Sequence, residues 1–131
     1  MIEKTALRLL GIKNRSQEEL RQKLLAKGFP LSEINGIIQK LVDLGYIQDE
    51  NTTKTRFQMY LNRGYGPRYI KIKLKQQGLL MPPYSLELQK KVATKLLENP
   101  SLQKKDQKQK AALLSRRGFD LDLIYALVME D

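Results

Sequence analysis

Basic side chains are concentrated in one stretch of this sequence, and side chains of this kind bind anionic partners. Between Lys54 and Lys75 there are seven Lys and Arg residues and no acidic residue. Tyr60, Tyr65 and Tyr69 are interleaved among them. Such a stretch suits a polyanion, either nucleic acid or an acidic protein surface, because tyrosines among cations can stack on bases. The alternative is a solvated helix face with tyrosines in the core, which we favour for Tyr60 and Tyr69.

Six of the seven cations of this stretch are our first candidate binding residues. They are Arg56, Arg63, Arg68, Lys71, Lys73 and Lys75. Arg63 and Arg68 flank a turn that contains glycine, so each could contact a carboxylate or phosphate through two nitrogen atoms. The alternative for both is a position at a solvated helix end. Gly66 and Pro67 suit structural roles in that turn, a permissive backbone and a pre-set helix start.

The composition argues against most catalytic chemistry. The 131 residues carry 24 Lys and Arg against 14 Asp and Glu, a net charge of +10, and contain no Cys and no His. Disulfides, thiolate nucleophiles and Cys-ligated zinc are therefore excluded, and the commonest general base is absent. No GxxxxGK phosphate loop occurs, and helix capping accounts for the adjacent acids Asp49 and Glu50. We expect no enzyme, no cofactor and no metal site.

Nothing in the sequence predicts a membrane segment. No run of about 18 apolar residues occurs, and the first apolar stretch is too interrupted for a signal peptide. The absence of Cys suits a reducing compartment. We expect a soluble, cytoplasmic protein with no membrane partner.

Helical signals run through the whole chain. Ser16 and Glu19 have the spacing of a capping box, at the start of a helix that should end at Gly28. We expect the next helix to start in the same way at Ser32 and to end at Gly45. Further helices are predicted at 49–62, 67–77, 86–99, 109–117 and 121–129. Residues 79–85 read as a linker, and residues 103–110 as a frayed helix start or a mobile connector.

The segment YIKIKLK, residues 69–75, alternates apolar and basic residues. Alternation of this kind formally favours a strand. The segment lies between Pro67 and Gly78 within an otherwise helical pattern, and Ile70 and Leu74 have helical spacing. We therefore predict a helix here.

Three similar segments indicate an internal repeat. They are LRQKLLAKGF, IKIKLKQQGL and KAALLSRRGF, and they align Gly28 with Gly78 and Gly118. The spacings of 50 and 40 residues between these glycines suit an array of small helical units. None of these units is able to bury its apolar face alone. The alternative is a chance likeness between Leu-rich helices that end in glycine.

These segments, in this order, resemble the RecX family, whose members modulate the RecA recombinase. The resemblance extends from about residue 5 to residue 129 and is carried by SQEELRQKLLAKGF, DLGYIQDE, RGYGPR with its following basic helix, and SRRGF. It implies an all-α fold of tandem three-helix repeats that form an elongated, curved array. We expect repeats at 1–48, 49–84 and 85–131. The third helix of the second repeat should be shortened or fused with its neighbour, since Pro82 and Pro83 occupy its place.

The resemblance also implies a function and a set of binding residues. It implies a non-enzymatic regulator that binds the filament of RecA on single-stranded DNA and inhibits its extension, ATP hydrolysis, and recombinase and co-protease activity. The residues that match the family's motifs are Arg63, Tyr65, Gly66, Pro67, Arg68, Arg116, Arg117 and Gly118. The helix dipole alone would account for Arg116 and Arg117. The alternative function is a general basic nucleic-acid-binding module with no recombinase partner, and in either case we expect a monomer.

Overall fold

The protein is helical throughout the part of the chain that the structure covers. The structure is a computed structural model that describes residues 1–129, and within them it contains no strand. The helices are α1 (Ile2–Ile12), α2 (Gln17–Ala26), α3 (Leu31–Asp43), α4 (Asp49–Asn62), α5 (Pro67–Gln76), α6 (Leu86–Leu97), α7 (Pro100–Gln103), α8 (Gln107–Arg116) and α9 (Leu121–Ile124). A π-helical turn, Tyr125–Met129, continues α9. The predicted all-α class is confirmed, and the last two residues of the predicted third repeat lie outside the described residues.

The helix starts show which capping signals the chain uses. Ser16 and Glu19 form the predicted capping box, in which each side chain accepts a hydrogen bond from the other residue's amide. The prediction that Ser32 caps α3 is wrong, because α3 begins at Leu31 and its N-cap residue is Pro30, two residues earlier. Pro30, at φ −67° and ψ 145°, holds the chain extended immediately before the first helical residue and has no capping side chain.

The alternating segment at residues 69–75 is helical, as predicted, and belongs to α5. Ile70 and Leu74 lie one turn apart on its buried face, and both are fully buried. Lys71 and Lys75 lie on the exposed side. Burial of the two apolar side chains therefore decides between the two periodicities.

Three hydrophobic clusters follow one another along the chain. The first cluster joins α1, α2 and α3; the second joins α4, α5 and the segment after α5; the third joins α6, α8, α9 and the π-helical turn. Residues 1–48 form no hydrogen bond with residues 85–129. The repeat boundaries stay a prediction, and Leu61 and Tyr84 pack against both the second and the third cluster.

The second cluster has no third helix of its own. Residues 79–85, which include both prolines, form neither helix nor strand between α5 and α6. Leu79 is buried, and the ring of Tyr84 packs edge-on against Phe57 at 5.7 Å. The Tyr84 hydroxyl donates to the carbonyl oxygen of Tyr65 at 2.9 Å. A non-helical segment therefore packs on the core here, since Pro82 and Pro83 disfavour a helix.

Candidate binding surface and the junctions that position it

The RGYGPR and SRRGF motifs meet at the junction between the second and third clusters. The amide of Gly66 donates to the carbonyl oxygen of Arg117 at 2.7 Å, and the amide of Arg68 donates to that of Gly118 at 3.1 Å. A Cβ atom at Gly66 would lie 2.6 Å from the backbone of Gly118 and Phe119. Gly118 has a φ of +93°, and a Cβ atom there would overlap the first turn of α5. Both glycines are therefore required for this close approach.

Aromatic and cationic side chains complete the same junction. The rings of Tyr65 and Tyr69 are stacked, with centroids 3.8 Å apart, and Tyr60 meets both of them edge-on. The guanidinium of Arg117 lies 4.6 Å from the Tyr65 ring and donates to the carbonyl oxygen of Arg63 at 2.6 Å. Arg117 and Tyr65 therefore contribute to the junction by cation–π and hydrogen-bond contacts.

The junction between the first and second clusters is built from the start of α2 and the end of α5. The hydroxyl of Ser16, which is fully buried, donates to the carbonyl oxygen of Gln77 at 2.5 Å. A Cβ atom at Gly78 would overlap the side chain of Glu18. The amide of Gln17 donates to the Asp49 carboxylate at 3.0 Å. The first turn of α2 thus receives the glycine that ends α5.

The side chain of Arg56 spans this first junction and is fixed there by three contacts. Its guanidinium forms an ion pair with Glu19 at 2.8 Å, donates to the side-chain oxygen of Gln77 at 2.9 Å, and donates to the carbonyl oxygen of Asn14 at 2.9 Å. Only 14% of its side chain is exposed. The side-chain amide of Gln77 in turn donates to the Tyr60 hydroxyl at 3.0 Å.

The electrostatics at this junction follow from those contacts. Burial raises the pKa of Glu19, but the hydrogen bonds from Arg56 and from the Ser16 amide outweigh it and leave the pKa below its usual value. The pKa of Glu18 is also lowered, chiefly by a hydrogen bond from Gln22 that outweighs desolvation. Both carboxylates are therefore held in their charged form.

The two junctions use the same pair of parts. We call the helix end around Gly78 or Gly118 a glycine turn, and the helix start around Ser16 or Gly66 a receiving turn. In both junctions the N-cap residue of the receiving turn donates a hydrogen bond to the carbonyl oxygen of the residue before the glycine. The donor is a hydroxyl at Ser16 and an amide at Gly66.

The exposed basic surface is therefore smaller than the basic stretch of the sequence. Lys71 and Lys75 are exposed one turn apart on α5, and Ile72 beside them is 53% exposed. Neither lysine side chain forms a hydrogen bond or ion pair with the described residues. We call these three residues the α5 face. It presents two cations and one apolar side chain to solvent.

The other candidates divide into exposed side chains and junction side chains. The side chains of Arg63 and Arg116 are exposed. Arg68 is exposed, yet its guanidinium donates to the Ser115 carbonyl oxygen at 3.1 Å. Lys73 is half-buried, with its ammonium 5.5 Å from the Tyr69 ring. Pro67 occupies the first turn of α5. Their roles in binding stay predictions.

Sequence reasoning missed the partners that hold the candidates in place. Ser16 was recognised as a cap, but its bond to Gln77 spans 61 residues of sequence. The ion pair of Glu19 with Arg56 and the packing of Tyr84 on the second cluster were likewise not expected. The repeat alignment could have shown that Ser16 and Gly66 are equivalent, since each precedes its aligned helix by the same number of residues.

Two kinds of feature are absent from the described residues. Residues 1–129 contain no group of three or more His, Cys, Asp or Glu side chains arranged to hold a metal ion. None of the helices in this range combines the length and apolar character that crossing a membrane requires.

These features define a class: a helical-repeat protein whose units are joined through glycine turns and whose central helix carries a basic face. Residues 4–41 match the family described as RecX, first three-helix domain. Regulatory protein RecX of Vibrio campbellii is 31% identical over 96% of this chain and 89% of its own length. Its counterpart in Stenotrophomonas maltophilia is 32% identical over 91% of this chain and 80% of its own.

A solved structure agrees with these relatives. The crystal structure of RecX from Lactobacillus salivarius superposes with a TM-score of 0.78 at 25% identity, covering 98% of this chain and 92% of that one. The chain belongs to the RecX family.

Proposed function

We propose that this protein is a non-enzymatic regulator that binds the filament of RecA on single-stranded DNA. Binding would inhibit extension of the filament, its ATP hydrolysis, and its recombinase and co-protease activity. Membership of the RecX family supports a regulatory role, since its relatives are named regulatory proteins. The protein would act in the cytoplasm, in contact with both RecA and the DNA.

The observation that carries this proposal is the α5 face, with Lys71, Ile72 and Lys75 exposed on the central helix. α5 is held at both ends, because its first turn receives Gly118 and its glycine turn packs on α2. A cationic face on a helix held in this way keeps its geometry when it meets a partner. Phosphates of the DNA or carboxylates of RecA would both satisfy its lysines.

The distribution of charge supports binding along an extended anionic object. Residues 51–131 hold 16 basic and 7 acidic side chains, whereas residues 1–50 hold 8 and 7. A filament on single-stranded DNA offers repeating anionic grooves, and an array of units can gain many small contacts along one of them. Long-range attraction would also speed the encounter at low salt.

The test is ATP hydrolysis by RecA on single-stranded DNA while this protein is added from substoichiometric amounts. We expect hydrolysis to fall at ratios well below one copy per RecA protomer, since a filament is blocked by few bound copies. Anisotropy of labelled single-stranded DNA without RecA runs beside it. Unchanged hydrolysis at excess protein, together with tight binding to bare DNA, would replace the proposal with a general nucleic-acid-binding module.

A further inference from the structure

A second concentration of positive charge lies outside the candidate residues described above. Residues 90–110, which extend from α6 to the first turns of α8, hold seven lysines against two acids, Glu98 and Asp106. We call these seven residues the lysine surface. They are Lys90, Lys91, Lys95, Lys104, Lys105, Lys108 and Lys110. All of them are exposed except the last, which is half-buried.

The lysine surface has no partners within the protein, unlike much of the basic stretch at residues 54–75. In that stretch Arg56, Arg68 and Lys73 are each held by a neighbouring side chain or carbonyl oxygen. On the lysine surface no side chain forms a hydrogen bond, ion pair or cation–π contact with the described residues. More unpaired cations therefore lie here than in the stretch that the sequence makes conspicuous.

The lysine surface continues from α6 into the connector before α8. The three lysines of α6 line one surface concavity together with Glu98. The side-chain amide of Gln103 donates to the carbonyl oxygen of Glu98 at 3.4 Å, so the end of α7 lies against the end of α6. Lys104 and Lys105 come directly after Gln103. The lysines of the connector therefore extend the row that begins on α6.

The stability of the fold does not account for this surface. Lys95, in the last turn of α6, is placed where the helix dipole favours a cation. Lys108 lies in the first turn of α8, where the dipole disfavours one. Asp106 already caps that helix, since its carboxylate accepts a hydrogen bond from the amide of Gln109 at 2.8 Å. Unpaired like charges held side by side cost stability, and an anionic partner would offset that cost.

We propose that the lysine surface binds the phosphate backbone of nucleic acid. Within residues 90–110 no large apolar side chain is exposed, whereas protein interfaces use apolar anchors and are depleted in lysine. The same residues contain no aromatic side chain on which a base could stack. The ligand is therefore recognised by its phosphates, in single strands and in duplexes alike, and without preference for sequence.

This inference goes beyond the proposed function, because it concerns nucleic acid in the absence of RecA. The lysine surface belongs to the third cluster and the α5 face to the second. The hydrogen bond from Gly66 to Arg117 joins these two clusters, so one chain presents two cationic surfaces in a fixed relation. Contacts to phosphates alone are weak at physiological salt, so the lysine surface adds to binding of a filament rather than replacing it.

Fluorescence anisotropy of labelled oligothymidine across a salt series, without RecA, tests the proposal. We expect binding at low salt that weakens steeply as salt rises. A triple variant with Lys104→Gln, Lys105→Gln and Lys108→Gln should bind roughly tenfold more weakly at low salt. Its salt slope should fall by about two, since each contact to a single strand contributes about 0.7. Its melting temperature should not fall, because these lysines have no partner in the fold.

The matched control removes the same charge from exposed positions in residues 1–48, through Lys4→Gln, Arg8→Gln and Lys27→Gln. This variant should keep most of the affinity and of the salt slope. Equal losses in the two triple variants, an unaltered salt slope in the first, or no binding by the unmodified chain at low salt would overturn the proposal.

Two competitors test the chemistry of the ligand. Oligonucleotides of mixed sequence should displace the labelled oligothymidine as well as unlabelled oligothymidine does, and a strong preference for either would contradict recognition by phosphates alone. Polyglutamate of equal charge should compete less well than the oligonucleotides. If it competed equally, the lysine surface would be assigned to an acidic protein instead.

Discussion

The amide of Gly66 lies 2.7 Å from the carbonyl oxygen of Arg117 and donates a hydrogen bond to it across 51 residues of sequence. The equivalent bond at the other junction runs from the Ser16 hydroxyl to the carbonyl oxygen of Gln77. One junction thus has a backbone donor where the other has a side-chain donor, and the backbone of Gly66 directly contacts that of the helix end before Gly118. The RGYGPR motif looks suited to binding a ligand, but two of its residues, Gly66 and Arg68, form the backbone contacts of this junction.

Gly66→Ala should destabilise the fold although the backbone at this position suits any residue. Gly66 has a φ of −91° and a ψ of 176°, so the cost is purely steric: the new methyl group would meet the backbone of Gly118 and Phe119. We expect a loss of about 1–3 kcal/mol in the free energy of unfolding, as for other overpacked sites. Urea unfolding followed by circular dichroism measures it.

The matched control for that substitution is Gly36→Ala. Gly36 lies inside α3, and a Cβ atom there would have no described heavy atom within 4 Å. Alanine should stabilise the helix by about 0.5–1 kcal/mol. If Gly66→Ala proved as stable as Gly36→Ala, the tight junction would be refuted.

The sequence predicted the helices well because their signals are local. The capping box at Ser16, the proline at the start of α5 and the glycines at helix ends act within a few residues. The start of α3 was misplaced because Ser32 looks like a cap, whereas Pro30 sets the entry instead. Residues 79–85 were predicted as a linker and contain no helix, but the prolines did not show that this segment packs on the core.

The site was less predictable, because its arrangement depends on contacts between distant residues. Arg56 and Lys71 look alike in the basic stretch, yet Arg56 is fixed to Glu19 and Gln77 while Lys71 faces solvent. Charge alone cannot distinguish them. The two residues differ in whether their face of the helix packs against another part of the chain. That packing depends on residues distant in the sequence.

Arg56→Ala should weaken stability rather than binding. The guanidinium makes three charge-assisted contacts at a mostly buried position, so its loss should cost about 2 kcal/mol in the free energy of unfolding. Thermal unfolding measures this cost, and binding to RecA filaments is measured below the lowered melting temperature. Lys54→Ala, an exposed cation on the same helix, should change stability by less than about 0.5 kcal/mol. A stable Arg56→Ala protein with weakened filament binding would instead favour the ligand role predicted from the sequence.

Acid should loosen the junction between the first and second clusters through Glu19. The pKa of Glu19 is lowered in the folded state, so its ion pair stabilises the fold above the pKa of the unfolded chain. That stabilisation is lost in acid, as the pH falls from the usual glutamate pKa through the lowered pKa of the folded state. Glu19→Gln should therefore cost about 1–2 kcal/mol at neutral pH and progressively less in acid.

The measurement for Glu19 is the melting temperature of both proteins between neutral pH and acid, where the two curves should converge. Glu33→Gln is the control, since Glu33 is exposed on α3 and should leave the profile unchanged. A gap between Glu19→Gln and the unmodified protein that stays constant with pH would exclude the charged interaction as its cause.

Replacing Lys71 and Lys75 by Ala should weaken filament binding without affecting the fold. Both side chains are exposed and form no hydrogen bond or ion pair within the described residues, so the melting temperature should stay unchanged while the affinity falls. If they contact phosphates, the slope of log affinity against log salt should drop by about one for each lysine. Lys4→Ala with Arg8→Ala is the matched control, because these exposed cations have the same spacing on α1. Equal losses in the two double variants would mean that net charge, and not the α5 face, drives binding; a loss confined to the α5 variant with an unchanged salt slope would assign its lysines to carboxylates of RecA.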